Sequence, residues 1–132
     1  MRPISQKRRG LLRKVKPIRD SLIARVGKCE ICGASPKRPN TRLPRECSAL
    51  CVHEVANGPN REKALDKPYA ILVLCTNCNH QEVEDKRKWP QARQLAVLLR
   101  SRPNDYDLVA FNRLVNPNAP NRITPDEVAA YF

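Results

Sequence analysis

The residues best suited to chemistry here are two C-x-x-C pairs, Cys29-Glu-Ile-Cys32 and Cys75-Thr-Asn-Cys78. Two thiolates on one tight turn can chelate a metal, and two such turns complete a tetrahedral four-sulfur site for a structural Zn2+. One pair alone would read equally as a redox dithiol. Two pairs, one just past Gly27-Lys28 and the other just past an apolar run, read as zinc. Gly33, directly after Cys32, supplies the backbone freedom such a turn needs. Cys47 and Cys51, four apart, leave three readings open. They could be small buried hydrophobes, a disulfide in an oxidising setting, or ligands of a second zinc with His53 or His80.

A hydrolytic metal asks for something different: hard or borderline ligands, an open position for water and phosphate, and a base. The only two histidines lie where this could be met, His53 beside Glu54 and His80 two residues past Cys78. With Asn57 and Asn60 they form the candidate set. Glu82, Glu84 and Asp85 follow closely, although such acids are more often a solvated helix face.

These residues need elements to hold them. Pro17 can occupy the first turn of a helix running to about Val26, with Ile18, Leu22, Ile23 and Val26 on one stripe. Residues 1–14 look irregular, or helical only on contact. Residues 34–46 are rich in Pro, Arg and Asn and predict a loop. Cys51–Ala56 predicts a short strand, and Asn57-Gly58-Pro59-Asn60 a turn. The apolar run Tyr69–Leu74 predicts a second strand feeding the second cysteine turn. A helix from His80 to about Lys88 would complete a ββα unit. Further helices are expected from Pro90 (carrying Leu95, Val97, Leu98 and Leu99), over about Asp105–Leu114, and from Thr124. The last has an N-cap threonine, Pro125 in the first position and Glu127 to complete a capping box. Three regions follow: a basic N-terminal arm and helix over 1–28, a metal module over 29–88, and C-terminal helices over 89–132.

The 132 residues leave room for one domain, and with aromatics at 5% the core is modest, the situation in which a metal helps a fold hold together. Net charge is +12, and residues 1–28 hold ten basic side chains against one acid, so +9 of it lies there. Such an arm suits phosphate contacts that weaken as salt rises; a solubilising tail or a leader is the plain alternative. No apolar stretch of signal-peptide type follows the basic residues, and Tyr69–Cys75 is too short to span a bilayer. Free thiols fit a reducing compartment, so a cytoplasmic setting in a prokaryote or a phage-infected host is expected, with no membrane partner.

Taken in order, Cys29-x-x-Cys32-Gly33, Cys51-Val52-His53-Glu54-Val55, Ile71-Leu72-Val73-Leu74-Cys75-x-x-Cys78 and His80 resemble the HNH nucleases with four zinc-binding cysteines. The resemblance covers Cys29 to about Asp85. It implies a small α+β fold, a zinc-stabilised ββα-metal (treble-clef-like) module with flanking helices. It also implies a DNA endonuclease or nickase that hydrolyses phosphodiesters with Mg2+ or Mn2+ separate from the structural zinc. That family places a ligand and then a general base before an aliphatic residue on the first strand. Here those slots hold His53, Glu54 and Val55, so either Glu54 replaces the base or His53 serves in a register shifted by one. The family's central asparagine slot holds Pro68, Tyr69 and Ala70, with Asn60 displaced upstream. Its last histidine slot holds Asn79, with His80 next. The expected catalytic set is His53, Glu54, Asn60 and His80. Phosphates of DNA, or alternatively RNA, are expected at Arg61, Lys63 and Lys67 between the strands and at Arg8, Arg9, Arg13 and Lys14 on the arm. The alternative function is a catalytically inactive zinc-dependent DNA- or RNA-binding module. A protein-interaction module using the C-terminal helices is a third.

Overall fold

A computed structural model describes residues 5–35, 50–56, 60–76, 78–115 and 122–132, with the side chains of 80 and 81 outside that description. The fold is a small α+β arrangement. Helix α1 (Gln6–Val26) precedes strand β1 (Leu50–Glu54) and the short helix α2 (Asn60–Lys63). A 3-10 turn over Pro68–Ala70 leads into strand β2 (Ile71–Cys75), and a π-helical turn follows over Cys78–Glu82. Helices α3 (Gln91–Ser101), α4 (Leu108–Val115) and α5 (Pro125–Ala129) close the chain. Among the described residues no helix is long and apolar enough to cross a membrane.

Helix α1 begins eleven residues earlier than an opening at Pro17 would allow. Ser5 caps it by accepting the Arg8 backbone N–H at 3.1 Å, and Gly27 ends it at φ +70°, donating to the Ile23 carbonyl at 2.8 Å. Pro17 therefore lies inside the helix, at the cost of one backbone hydrogen bond. Leu11, Leu12, Val15, Leu22, Ile23 and Val26 extend the inward stripe along its full length. The cationic first turns are held by partners distant in sequence: Arg8 bonds Glu54, and Lys7 reaches Glu62 at 3.4 Å.

The two strands pair antiparallel with Val52 opposite Val73. Side chains alternate across the sheet. Val52, Ile71 and Val73 pack with Leu22 under α1, while Leu72 and Leu74 join the main core on the other face. That core also takes Cys29, Cys75 and Cys78 together with Leu95 and Leu98 of α3, Phe111 of α4 and Val128 of α5. The C-terminal helices thus pack on the cysteine module.

The outer edge of β2 is closed by Glu30 and Arg102. Glu30 donates its backbone N–H to the Val73 carbonyl at 2.9 Å and accepts the Val73 N–H on its carboxylate at 3.3 Å. Arg102, at the end of α3, covers the next group along by donating to the Ile71 carbonyl. The same guanidinium reaches Glu30 at 2.8 Å, Asp105 at 2.9 Å and the Pro68 carbonyl at 3.2 Å. Burial pushes the Glu30 carboxyl above its ordinary range, against the opposing pull of Arg102.

One expected element is absent: no α-helix runs from His80 to Lys88. The chain makes the π-helical turn and then tight turns around Asp85, whose carbonyl accepts the Lys88 and Trp89 N–H groups at 3.1 and 2.8 Å. Its side chain also accepts the Arg87 N–H at 3.1 Å, offering the backbone an alternative to helix. These turns bury Trp89, and Pro90 then opens α3. At the far end, Thr124 caps α5 by accepting the Glu127 N–H at 3.2 Å.

Removing Arg102 leaves the buried Glu30 carboxyl without its cation. Arg102→Ala is expected to lower stability in urea by about 3–5 kcal/mol. Adding Glu30→Gln should restore part of that loss, and a double variant no more stable than Arg102→Ala would contradict this account.

Candidate metal centre and the His53 face

The first cysteine turn is closed by backbone bonds from Gly33 to the Cys29 carbonyl (2.9 Å) and from Cys29 to the Ala34 carbonyl (2.7 Å). Gly33 has φ +79°, a conformation that disfavours a side chain. The bond from Glu30 to Val73 sets this turn against β2, whose last residue is Cys75. Cys78 then opens the π-helical turn. The sulfurs of Cys29, Cys32, Cys75 and Cys78 all lie within 4.8 Å of one another, and those of Cys32 and Cys75 are 3.7 Å apart. Four sulfurs around one zinc at about 2.3 Å lie about 3.8 Å apart, so the cluster could hold a metal ion such as zinc.

Crowding also separates the thiols electrostatically. A hydrogen bond from Cys78 holds Cys29 down at about 4, whereas burial raises Cys32 to about 11. Cys78 is pushed up in turn by donating to Cys29. The Cys29 thiolate forms readily while Cys32 and Cys78 resist until a cation balances them, so metal binding releases protons.

His53 and Glu54 are neighbours on β1 and therefore face opposite ways. Glu54, 6% exposed, lies under α1 among three guanidinium groups. It is bonded by Arg8, with Arg61 at 3.9 Å and Arg19 at 4.0 Å. Burial would raise its carboxyl, but the Arg8 hydrogen bond and the charges of Arg19, Arg8 and Arg61 outweigh this and hold it below its usual range. Asn60 donates to the Val115 carbonyl at 3.1 Å, tying α2 to the end of α4.

His53 lies on the other face. Its Nε2 is 2.8 Å from Gln94 Oε1, and Gln94 Nε2 donates to the Trp89 carbonyl at 2.9 Å. That carbonyl can only accept, so the amide's NH2 end faces it and its oxygen faces His53. His53 therefore carries its proton on Nε2, leaving Nδ1 as the lone-pair nitrogen of the neutral ring. Burial, ahead of the opposing bond to Gln94, lowers the His53 pKa below its ordinary value. Asn79 also bonds His53, and it donates to Cys51 Sγ at 3.2 Å. The Cys51 thiol donates to the Leu74 carbonyl at 3.3 Å. Cys51 thus stands apart from the four-cysteine cluster. Cys47, Asn57 and the His80 side chain lie outside the described residues. Among the described residues no second group of three or more potential ligands gathers.

The basic candidates divide. Arg9, Arg13 and Lys14 are exposed on α1, and Arg61 and Lys63 on α2. Arg8 is turned toward Glu54, and Lys67 sits 3.6 Å from Asp66. No protein-family model matches this chain, and neither does any curated protein or solved structure.

Gln94 and Asn79 were not among the expected site residues. Gln94 carried a signal, a polar residue between the buried Ala92, Leu95 and Leu98 of a helix, where an amide needs a partner. Asn79 occupies the slot where the HNH pattern places a histidine.

Purified chain is expected to carry one zinc, lost in Cys75→Ser and retained in Cys51→Ser when metal is counted by plasma mass spectrometry. Glu54 adds an acid-side expectation. Its depressed pKa contributes stability that is complete above its unfolded value of about 4.3 and lost as pH falls through the lower folded value. Thermal melts of Glu54→Gln should lack that part of the acid decline.

Proposed function

We propose that this chain is a metal-dependent endonuclease or nickase of HNH-like type, built on a structural zinc at Cys29, Cys32, Cys75 and Cys78. The observation carrying the reading is the relay from His53 through Gln94 to the Trp89 carbonyl. It fits a general base: an imidazole kept neutral by burial and oriented at Nε2 by an amide. His53 then fills the base role, and Glu54, neutralised by arginines on the opposite face, does not. Asn60 is a structural tie. The treble-clef-like description fits with α3, rather than a helix at His80, packed beside the strands.

In this reading His53 Nδ1 takes the proton from the attacking water, and Gln94 holds the ring while its Nε2–H stays in place. Bound Mg2+ or Mn2+ would supply positive charge for the phosphate and leaving oxygen. The described hard donors beside His53 are amide oxygens, which by themselves do not make such a site, and His80 is the further ligand the sequence offers.

A second reading, an inactive zinc-dependent module that binds DNA or RNA, draws support from the commitment of Glu54 and Asn60 to structural bonds. Plasmid nicking by zinc-loaded protein with added Mg2+ or Mn2+ separates the two. His53→Ala is expected to lose about 10²–10⁴-fold in rate, with Glu54→Gln remaining active. Because burial lowers the His53 pKa, the wild-type rate should stay level as pH falls through 6.5 and drop only below it. Cleavage no faster than His53→Ala, with DNA still bound, would leave the binding module as the function.

A further inference from the structure

Three guanidinium groups share the single carboxylate of Glu54, and the least compensated of them is Arg19. It stands 4.0 Å from that carboxylate, which Arg8 already bonds, and gives its own hydrogen bonds to the carbonyls of Leu65 (3.2 Å) and Val52 (3.4 Å). Carbonyl dipoles orient a cation without cancelling its charge, and a buried charge without a counterion is costly. The Arg19 pKa moves accordingly, lowered first by burial and further by Arg8 against the pull of Glu54.

Arg19 also lines a groove of about 460 Å³ between α1 and β1. Arg13, Lys16 and Arg19 stand along its helical wall with the acidic Asp20 beside them, and Leu50, Cys51 and Val52 form its floor. Successive members of that row are three residues apart, so each is about 4.5 Å further along the helix axis. Arg13 is exposed and makes no ion pair with a described residue, while Lys16 is bonded to Asp20. The groove therefore combines a wall of net positive charge with an apolar floor.

We propose that a nucleic-acid strand lies along this groove, with backbone phosphates on Arg13 and Arg19 and its sugars and bases against the half-buried Leu50. Guanidinium groups suit phosphate oxygens, and an apolar floor suits a strand better than a fully hydrated anion. The assignment rests on the nucleic-acid part of the reading above and is independent of hydrolysis.

The test is fluorescence anisotropy of labelled single-stranded and duplex oligonucleotides against the zinc-loaded full chain in rising KCl. Arg19 also supports the fold, so the variants are Arg13→Glu and Lys16→Glu. Arg113→Glu, exposed on α4, changes net charge equally and serves as control. Arg13→Glu should weaken binding at least tenfold. It should also reduce the salt slope by about 0.7 for single strands or 0.9 for duplex, with Lys16→Glu following in the same direction. Arg113→Glu should stay within about twofold of wild type. Equal losses in Arg13→Glu and Arg113→Glu would mean undirected charge and overturn the groove. Displacement of the oligonucleotide by polyglutamate of equal charge would also overturn it, in favour of an acidic peptide. Cleavage is read separately: Arg13-dependent binding by a chain that cuts nothing upholds the groove and defeats only the nuclease reading.

Discussion

The meeting of Cys32 and Cys75, 43 residues apart in the chain, is the constraint from which the other placements follow. It requires the first cysteine turn to sit at the end of β2, which brings Glu30 alongside Val73. Cys78 then starts the chain back across the sheet, carrying Asn79 toward Cys51 and His53. Helices α3, α4 and α5 complete the core around those same sulfurs rather than forming one of their own. Few large apolar side chains are available, so a four-sulfur centre takes the position that a cluster of aromatics would hold in a larger domain.

Strand geometry divides the labour of the central dipeptide. A β-strand cannot aim two successive side chains at one point. His53 is therefore drawn into an amide relay on the α3 face, and Glu54 becomes the counterion for α1 and α2 on the other. The same alternation connects the two halves of the molecule. Residue 53 is tied to α3 through Gln94, while residues 52 and 54 fasten the N-terminal helix.

Much of this was legible in the sequence where a local rule carried the information. The cysteine spacing, the alternating and apolar strands, the helix after Pro90 and the Thr124 cap each depend on neighbours a few residues away. The early start of α1 was not legible, because Arg8 and Lys7 find their partners on β1 and α2. Nor was the missing helix after His80, where Asp85 and the burial of Trp89 override a plausible helical stretch. The base question raised by His53-Glu54 could be posed from sequence but needed the facing of each side chain. Gln94 sits in plain view as a polar residue on an apolar face, yet its partner is 41 residues away.

The sealed edge of β2 has a consequence for the molecule in company. An uncovered strand edge is a template on which another chain can add, the first step toward domain swapping and fibrillar aggregation. β2, apolar throughout and buried at all five positions, would be a dangerous template if exposed. Glu30 and Arg102 occupy the groups an incoming strand would need, and they are 72 residues apart in the chain. A nascent chain still lacking residue 102 therefore has an incompletely guarded strand. During synthesis, protection against self-association is completed only when the end of α3 emerges.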